Sequence, residues 1–343
     1  MRTCLVVLAA AFCVTGRAQS QPSLTDQQSG TTALLQAISV MNERVVWVSG
    51  HKATWSRSLD GGATWTTGTV PGDTTLQFRD VHAVDGNTAF LLGSGTGPAS
   101  RIYFTSDAGK TWRLQHTNPD SAGFYDCMDF WDRNNGLVYG DEVGGQLVVL
   151  RTTDGGAQWS RVPGLPAALK GEGGFAASGT CLVSRQPGHA WIGTGAGLGA
   201  RVVHTGDRGA TWGVVTTDIF HATPASGIAT LSFLDSLNGF AAGGDIGDLN
   251  NKVPNIAITT DGGKTWSMKS SPGMTGAIYG SAYVPGRLTP TVIVVSPKGA
   301  EYSITNGGTW MSLSAKSYWA VGFAANGTGW MVGPGGRITK LVF

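Results

Sequence analysis

The sequence predicts an all-β fold, a seven-bladed β-propeller of four-stranded antiparallel sheets whose ring is closed by the N-terminal strand. Three observations carry this. A corner motif recurs six times along the 343 residues. The apolar runs between its copies are short or alternating, with no helical period. The composition, with 52 Gly and 12 Trp but only 13% charged residues, suits many tight turns between short strands.

The first residues read as a processing signal. Arg2 is a short positive start, residues 4–14 are an apolar run, and Gly16-Arg17-Ala18 supplies small residues for cleavage near Ala18. Residues 1–18 are therefore expected to be a signal peptide, residues 19–343 one propeller domain, and the protein periplasmic or extracellular. A lipoprotein reading of Cys13 is disfavoured by Phe12, where a small residue would be needed. The run is too short to span a bilayer, and no later run reaches the roughly 18 apolar residues of a transmembrane helix, so no membrane insertion is expected. Removing Arg2 and Arg17 from 24 Lys+Arg leaves 22 against 22 Asp+Glu, a formally neutral mature chain. Without a basic tract it offers nothing to nucleic acid, and a monomer is expected.

The six corners are SLDGGATW (58–65), TSDAGKTW (105–112), TTDGGAQW (152–159), TGDRGATW (205–212), TTDGGKTW (259–266) and SITNGGTW (303–310), with tryptophans 47, 47, 53, 54 and 44 residues apart. Two kinds of segment precede each. One is an apolar run ending near Gly, such as VVWVSG, TAFLLGSG or NGLVYG. The other is a short run entering the corner, such as RIYFTSD or LVVLRTTD. Each unit thus reads as three strands, a tight turn and a fourth strand. A sheet of this size cannot bury both faces alone, and a closed ring of sheets solves that. A seventh unit starts at Tyr318 and ends at Phe343 after three strands, so its fourth is expected from residues 20–30. A six-bladed ring is the alternative.

Within each corner the acid accepts backbone N–H bonds, the glycines take positive φ, the Ser or Thr hydroxyl ties strand to turn, and the tryptophan packs between sheets. The pairs are Asp60 and Trp65, Asp107 and Trp112, Asp154 and Trp159, Asp207 and Trp212, and Asp261 and Trp266. Trp310 belongs to the copy in which Thr305 replaces the acid. One carboxylate per corner is too few for a calcium loop.

This S/T-x-D-x-G-x-T-W box, repeated along nearly all of the mature chain, resembles the BNR or Asp-box β-propellers. That group includes sialidases, xyloglucan-type glycosidases, sortilin-like receptors and photosystem II stability/assembly factor propellers. The box with NGxxxG, in a single exported propeller of this length, is most similar to the photosystem II assembly-factor group and its bacterial relatives. The resemblance implies the fold. For function it implies a binding or assembly scaffold for a protein or glycan ligand, with a glycoside hydrolase as the alternative.

Ligand sites of such a ring are expected opposite the corners, at the mouth of the central channel. Counting fourteen residues back from Gly50, Gly93, Gly140 and Gly333 reaches Gln36, Arg79, Asp126 and Trp319 at the starts of first strands. Arg79 and Asp126 fall on adjacent blades, and an ion pair between them is expected. Tyr125, Glu172, Asp141, Glu142 and Arg201 belong to the same face, with Asp245 and Asp248 in a longer polar loop that a calcium reading would also fit. The candidate ligand-binding residues are Arg79, Tyr125, Asp126, Asp141, Glu142, Glu172, Arg201 and Trp319. Asp126, Asp141, Glu142 and Glu172 form the carboxylate cluster a glycosidase would need. Arg79, Arg201, Arg337 and Tyr279 match the residue types of a sialidase site, but the expected Phe/Tyr-Arg-Ile/Leu-Pro stretch is missing; FRDV (78–81) follows the first box and lacks the proline. GTGAGLG (193–199) does not fit a dinucleotide fingerprint, and the six histidines are scattered, so neither cofactor nor metal is expected. Cys127 lies thirteen residues before Gly140 and Cys181 twelve before Gly193, one register apart. That leaves a bridge and two free thiols both open.

Overall fold

Period-two strands joined by glycine turns can only meander, and each repeat unit does so. In a computed structural model, which describes residues 21–72, 74–196 and 199–343, blade 1 is built from Leu35–Val40, Val46–Gly50, Thr54–Ser58 and Thr66–Thr69. Blades 2 to 6 repeat this order from Phe78–Ala83, Tyr125–Phe130, Leu182–Arg185, Ser226–Phe233 and Gly280–Tyr283. The expected signal peptide, residues 1–18, lies outside the described residues. Seven four-stranded antiparallel sheets result, which settles the blade number. The first strand of every blade packs on the first strand of the next, and that of blade 7 returns to blade 1.

Blade 7 is made from both chain ends. Ala320–Phe323, Thr328–Gly333 and Arg337–Val342 are consecutive, and Ser23–Gln28 adds the outer strand in an unbroken register from Ser23 opposite Val342 to Gln28 opposite Arg337. Inside that ladder Thr339 donates to Asp26 Oδ1 at 2.7 Å, and Lys316 contacts the other oxygen.

Second strands are sandwiched between neighbouring sheets, which is why Val46–Gly50, Ala89–Gly93 and Val292–Ser296 are buried throughout and read as continuous apolar runs. Trp47, Trp191 and Trp330 are fully buried there, each worth on the order of 3 kcal/mol of transfer free energy. The described residues contain no helix long and apolar enough to cross a membrane.

The corners hold sheet to sheet. In the first, Ser58 Oγ donates to Asp60 Oδ1 at 2.8 Å and accepts the Gly62 N–H at 2.7 Å. Thr64 gives its N–H to Oδ1 at 2.9 Å and its hydroxyl to Oδ2 at 2.6 Å. These donors pull the carboxyls of Asp60, Asp107, Asp207 and Asp261 down to about 2. In the sixth copy Thr305 Oγ1 takes the acid's place, accepting the Thr309 N–H at 2.8 Å. Each indole then reaches back to the preceding blade. Trp112 packs edge-on against Trp47 at 6.2 Å, Trp310 against Phe240 at 6.3 Å, and Trp65 donates to Gln27 of the closing strand at 3.3 Å.

Candidate functional site

The end of the ring opposite the corners gathers the starts of the first strands and the loops joining second to third strands. There the fourteen-residue count has a structural meaning. Gln36, Arg79 and Asp126 are each the extra residue of a β-bulge, between Leu35 and Ala37, Phe78 and Asp80, and Tyr125 and Cys127. A bulge re-aims one side chain without breaking the sheet. Trp319 is not in a bulge; it precedes its strand and meets Tyr279 edge-on at 5.4 Å.

Across this face runs a strap, residues 172–180, of composition EGGFAASGT. On blade 1, Gln36 Nε2 donates to the Ala176 carbonyl at 2.8 Å. On blade 3, Asp141 Oδ1 accepts the Gly174 N–H at 3.1 Å. On blade 5, Thr180 and Thr230 hydroxyls meet at 2.7 Å, and on blade 6 Ser178 donates to the Tyr279 carbonyl at 2.7 Å. Gly179, at φ +78°, lies on Asp80 of blade 2 so closely that a Cβ would sit 2.3 Å from Oδ1. With partners on blades 1, 2, 3, 5 and 6, the strap bridges the channel. Its small residues are what let backbone approach so many strands. Phe175 and Ala177 pack with Ala229 beneath Ile246 and Tyr279.

The strap ends in a disulfide. Cys127 and Cys181 are bridged with Cα atoms 5.9 Å apart, which closes the question that register left open. Cys181 precedes the first paired residue of its strand, Leu182 opposite Ile192, so the pleat does not dictate where its side chain points.

Two charged groupings lie at the start of the strap. Glu172, 1% exposed, takes Arg201 Nε on Oε1 at 2.8 Å and Nη2 on Oε2, while Thr194 Oγ1 donates to Oε1 at 2.6 Å. Glu142 caps loops, accepting the N–H of Gly145 at 2.7 Å and of Gly171 at 3.2 Å. Asp126 and Asp141 form the second grouping. Two carboxyls can hydrogen-bond only if one carries a proton. Burial, then the neighbouring Asp141, holds Asp126 well above the usual carboxylate range, and burial raises Asp141 as well, so the pair holds a proton in common. Asp80 is also pushed well up by burial, although it accepts the Met128 N–H at 2.6 Å and that of Val81 at 2.7 Å.

The expected Arg79–Asp126 ion pair is not formed. Arg79 spends its guanidinium on Gln77 Oε1, at 3.0 and 2.6 Å, and lies over the Phe124 ring at 5.9 Å. Its charge reaches Asp126 only through space. Tyr125 is buried with its hydroxyl 3.1 Å from His116, and burial pushes that phenol up to about 12. Of the eight candidates, Tyr125, Asp126, Glu172 and Arg201 are buried, whereas Arg79, Asp141, Glu142 and Trp319 keep some exposure. In the polar loop Asp245 accepts from Thr223 at 3.0 Å and from the Gly247 N–H at 2.8 Å, and Asp248 from the Asn250 N–H at 2.9 Å. Sequence reasoning missed Asp80 and the strap. Their signals were an acid within an apolar inner strand and a run of small residues ahead of Cys181.

No family model matches the chain, and no curated protein does. Solved structures do. YCF48 bound to a D1 peptide superposes with a TM-score of 0.67 at 17% identity, covering 95% of this chain and 98% of that one. YCF48 from Cyanidioschyzon merolae gives 0.66 at 14%, covering 92% and 98%. The shared property is the fold. A GH74 xyloglucanase from Xanthomonas campestris has the same kind of ring, with a TM-score of 0.61 at 13% identity; 92% of this chain spans 53% of that enzyme.

Proposed function

We propose that the protein is a binding scaffold that holds an extended protein segment at the channel-mouth face. The observation that carries this is the strap. The chain already lays one small-residue segment across that face, held by groups from five blades, so the surface has the chemistry for extended peptide. The fold shared with a YCF48 solved with a D1 peptide supports the same reading. Arg79, Asp141, Glu142 and Trp319 are the groups that meet the ligand. Tyr125, Asp126, Glu172 and Arg201 keep the platform rigid beneath it. The glycosidase reading has less support, because it requires two carboxyls flanking a sugar bond at about 5–9.5 Å, whereas Asp126 is fully buried beside Asp141 and Glu172 is held by Arg201. Export rests on residues 1–18, and the Cys127–Cys181 bridge fits an oxidising compartment.

The test uses the full chain as bait, with an Arg79→Ala/Trp319→Ala variant beside it, and peptide arrays tiled across whatever protein is captured. Binding to a defined segment that falls at least about tenfold in the variant is the expected result. Unchanged capture by the variant, or hydrolysis of a glycan panel without peptide binding, would overturn the reading.

A further inference from the structure

The strap is a short span between two fixed ends. At one end Glu172 is held by Arg201 and Thr194, and Gly173 and Gly195 exchange backbone hydrogen bonds at 2.9 and 3.5 Å. At the other end Cys181 is bridged to Cys127. Between them residues 174–180 read GFAASGT, with a glycine near each end to take up a change of backbone direction. Single hydrogen bonds from Gln36, Ser178 and Thr180 hold this span, with Phe175 and Ala177 packed on Ala229.

Both glycines of the span press on a buried acid. A Cβ at Gly174 would sit 2.6 Å from Asp126 Cγ, and one at Gly179 would sit 2.3 Å from Asp80 Oδ1. Asp126 Oδ2 is buried with no hydrogen-bond partner among the described residues, and the Gly174 N–H goes to Asp141 instead. A charge on Asp126 therefore meets backbone carbon rather than a donor or water, and burial holds this carboxyl and that of Asp80 high. Facing Asp126 are Asp141, Tyr139 and Arg79, and of these only Arg79 favours its charge, weakly. Facing Asp80 is Asp129, 3.2 Å from His82 Nδ1. His51 lies beyond, its Nε2 2.9 Å from Gln36 Oε1. Asp141 works the other way, because charge on it strengthens the Gly174 bond. Asp80 is eased by the Met128 and Val81 N–H groups, so Asp126 carries the larger effect.

We propose that residues 174–180 are a pH-operated cover of the channel mouth, closed while Asp126 and Asp80 are neutral and lifted as they ionise. The proposal regulates the protein-binding face described above and rests on that reading. Closed, the cover holds Gln36 and Asp141; lifted, it frees Asp141 for a ligand and admits water to both acids. Closure raises the proton affinity of Asp126 and Asp80, so the closed form is fully favoured below their ordinary 3.8 and loses ground as pH rises. Each acid that ionises on opening multiplies the opening constant by up to about tenfold per pH unit.

Amide exchange of the full chain at pH 5 and pH 7, each rate divided by the intrinsic rate at that pH, tests this with no ligand present. Residues 174–180 should open locally, at least about a hundredfold more often than the buried strand Val292–Ser296, which reports global unfolding. Their opening constant should rise at least about tenfold between the two pH values. Asp126→Asn, neutral at both, should cut that rise at least about threefold. Exchange of the cover and Val292–Ser296 at one rate, an opening constant equal at both pH values, or the full rise in folded Asp126→Asn would overturn the proposal. The first two outcomes need only the wild type. A pH-opened cover in a protein that captures no segment would uphold the cover and refute the binding reading alone.

Discussion

Replacing Asp126 by Asn should stabilise the protein, and by more as the pH rises. Asp126 is 2% exposed and held well above its ordinary value of 3.8, first by burial and then by Asp141; Arg79 pulls weakly the other way. Folding therefore retains a proton that the unfolded chain releases. Below about pH 3.8 both states are protonated and Asp126 carries no penalty. Above it the unfolded state is favoured by up to ~1.4 kcal/mol per pH unit, until the folded value is reached. Asparagine has nearly the same shape as a protonated aspartic acid and carries an N–H donor beside Asp141 without the linkage. The variant should match the wild type near pH 4 and exceed it at pH 6, the gap widening with pH. Urea unfolding at the two pH values measures this directly. Arg79, Asp141, Tyr139 and Glu172 face the same region and are present in both proteins, so the comparison isolates Asp126 and its coupling to Asp141. An offset independent of pH, or a variant less stable at both values, would refute the shared-proton account.

The strap and the corners yield further expectations. Cys181→Ser opens a bridge between residues 54 apart, and chain entropy predicts a loss of about 4 kcal/mol, readable as a lowered urea midpoint under non-reducing conditions. Gly174→Ala would put a Cβ 2.6 Å from Asp126 Cγ, so it should cost about 1–3 kcal/mol and raise amide exchange along residues 172–180. In carboxyl NMR titrations Asp60, Asp107, Asp207 and Asp261 should titrate at about 2, and Gln158→Thr should move Asp154 toward them. Because those folded values are depressed, their contribution is present above the unfolded 3.8 and is lost as pH falls toward 2.

The architecture was legible because the same physical problem is solved six times in similar letters. An acid and an indole at fixed spacing announced each corner, and three strands after Tyr318 announced the need for a fourth. The channel mouth was less legible, for reasons of geometry. Counting from glycines found Gln36, Arg79 and Asp126 as aligned positions but could not show that each was a bulge, since a bulge adds a residue without changing the letters around it. Arg79 then turned to Gln77 and Phe124 rather than to Asp126, a choice set by neighbours distant in sequence. The disulfide escaped a register argument because Cys181 lies between the strap and Leu182, the first paired residue of its strand. Gly173, Gly174 and Gly179 were ordinary loop glycines until the strands they press on were known.

The pairing of Ser23–Gln28 with Arg337–Val342 also fixes an order of events. During synthesis, the residues that finish the circle leave the ribosome before any blade exists, and their partner leaves last. Until then the first six blades stand as an open arc with an apolar flank at each end, and Asp26 and Gln27 wait without Thr339 and Trp330. A chain truncated near its C-terminus would therefore lose two strands from one sheet rather than one, and expose the sides of both blade 1 and blade 6.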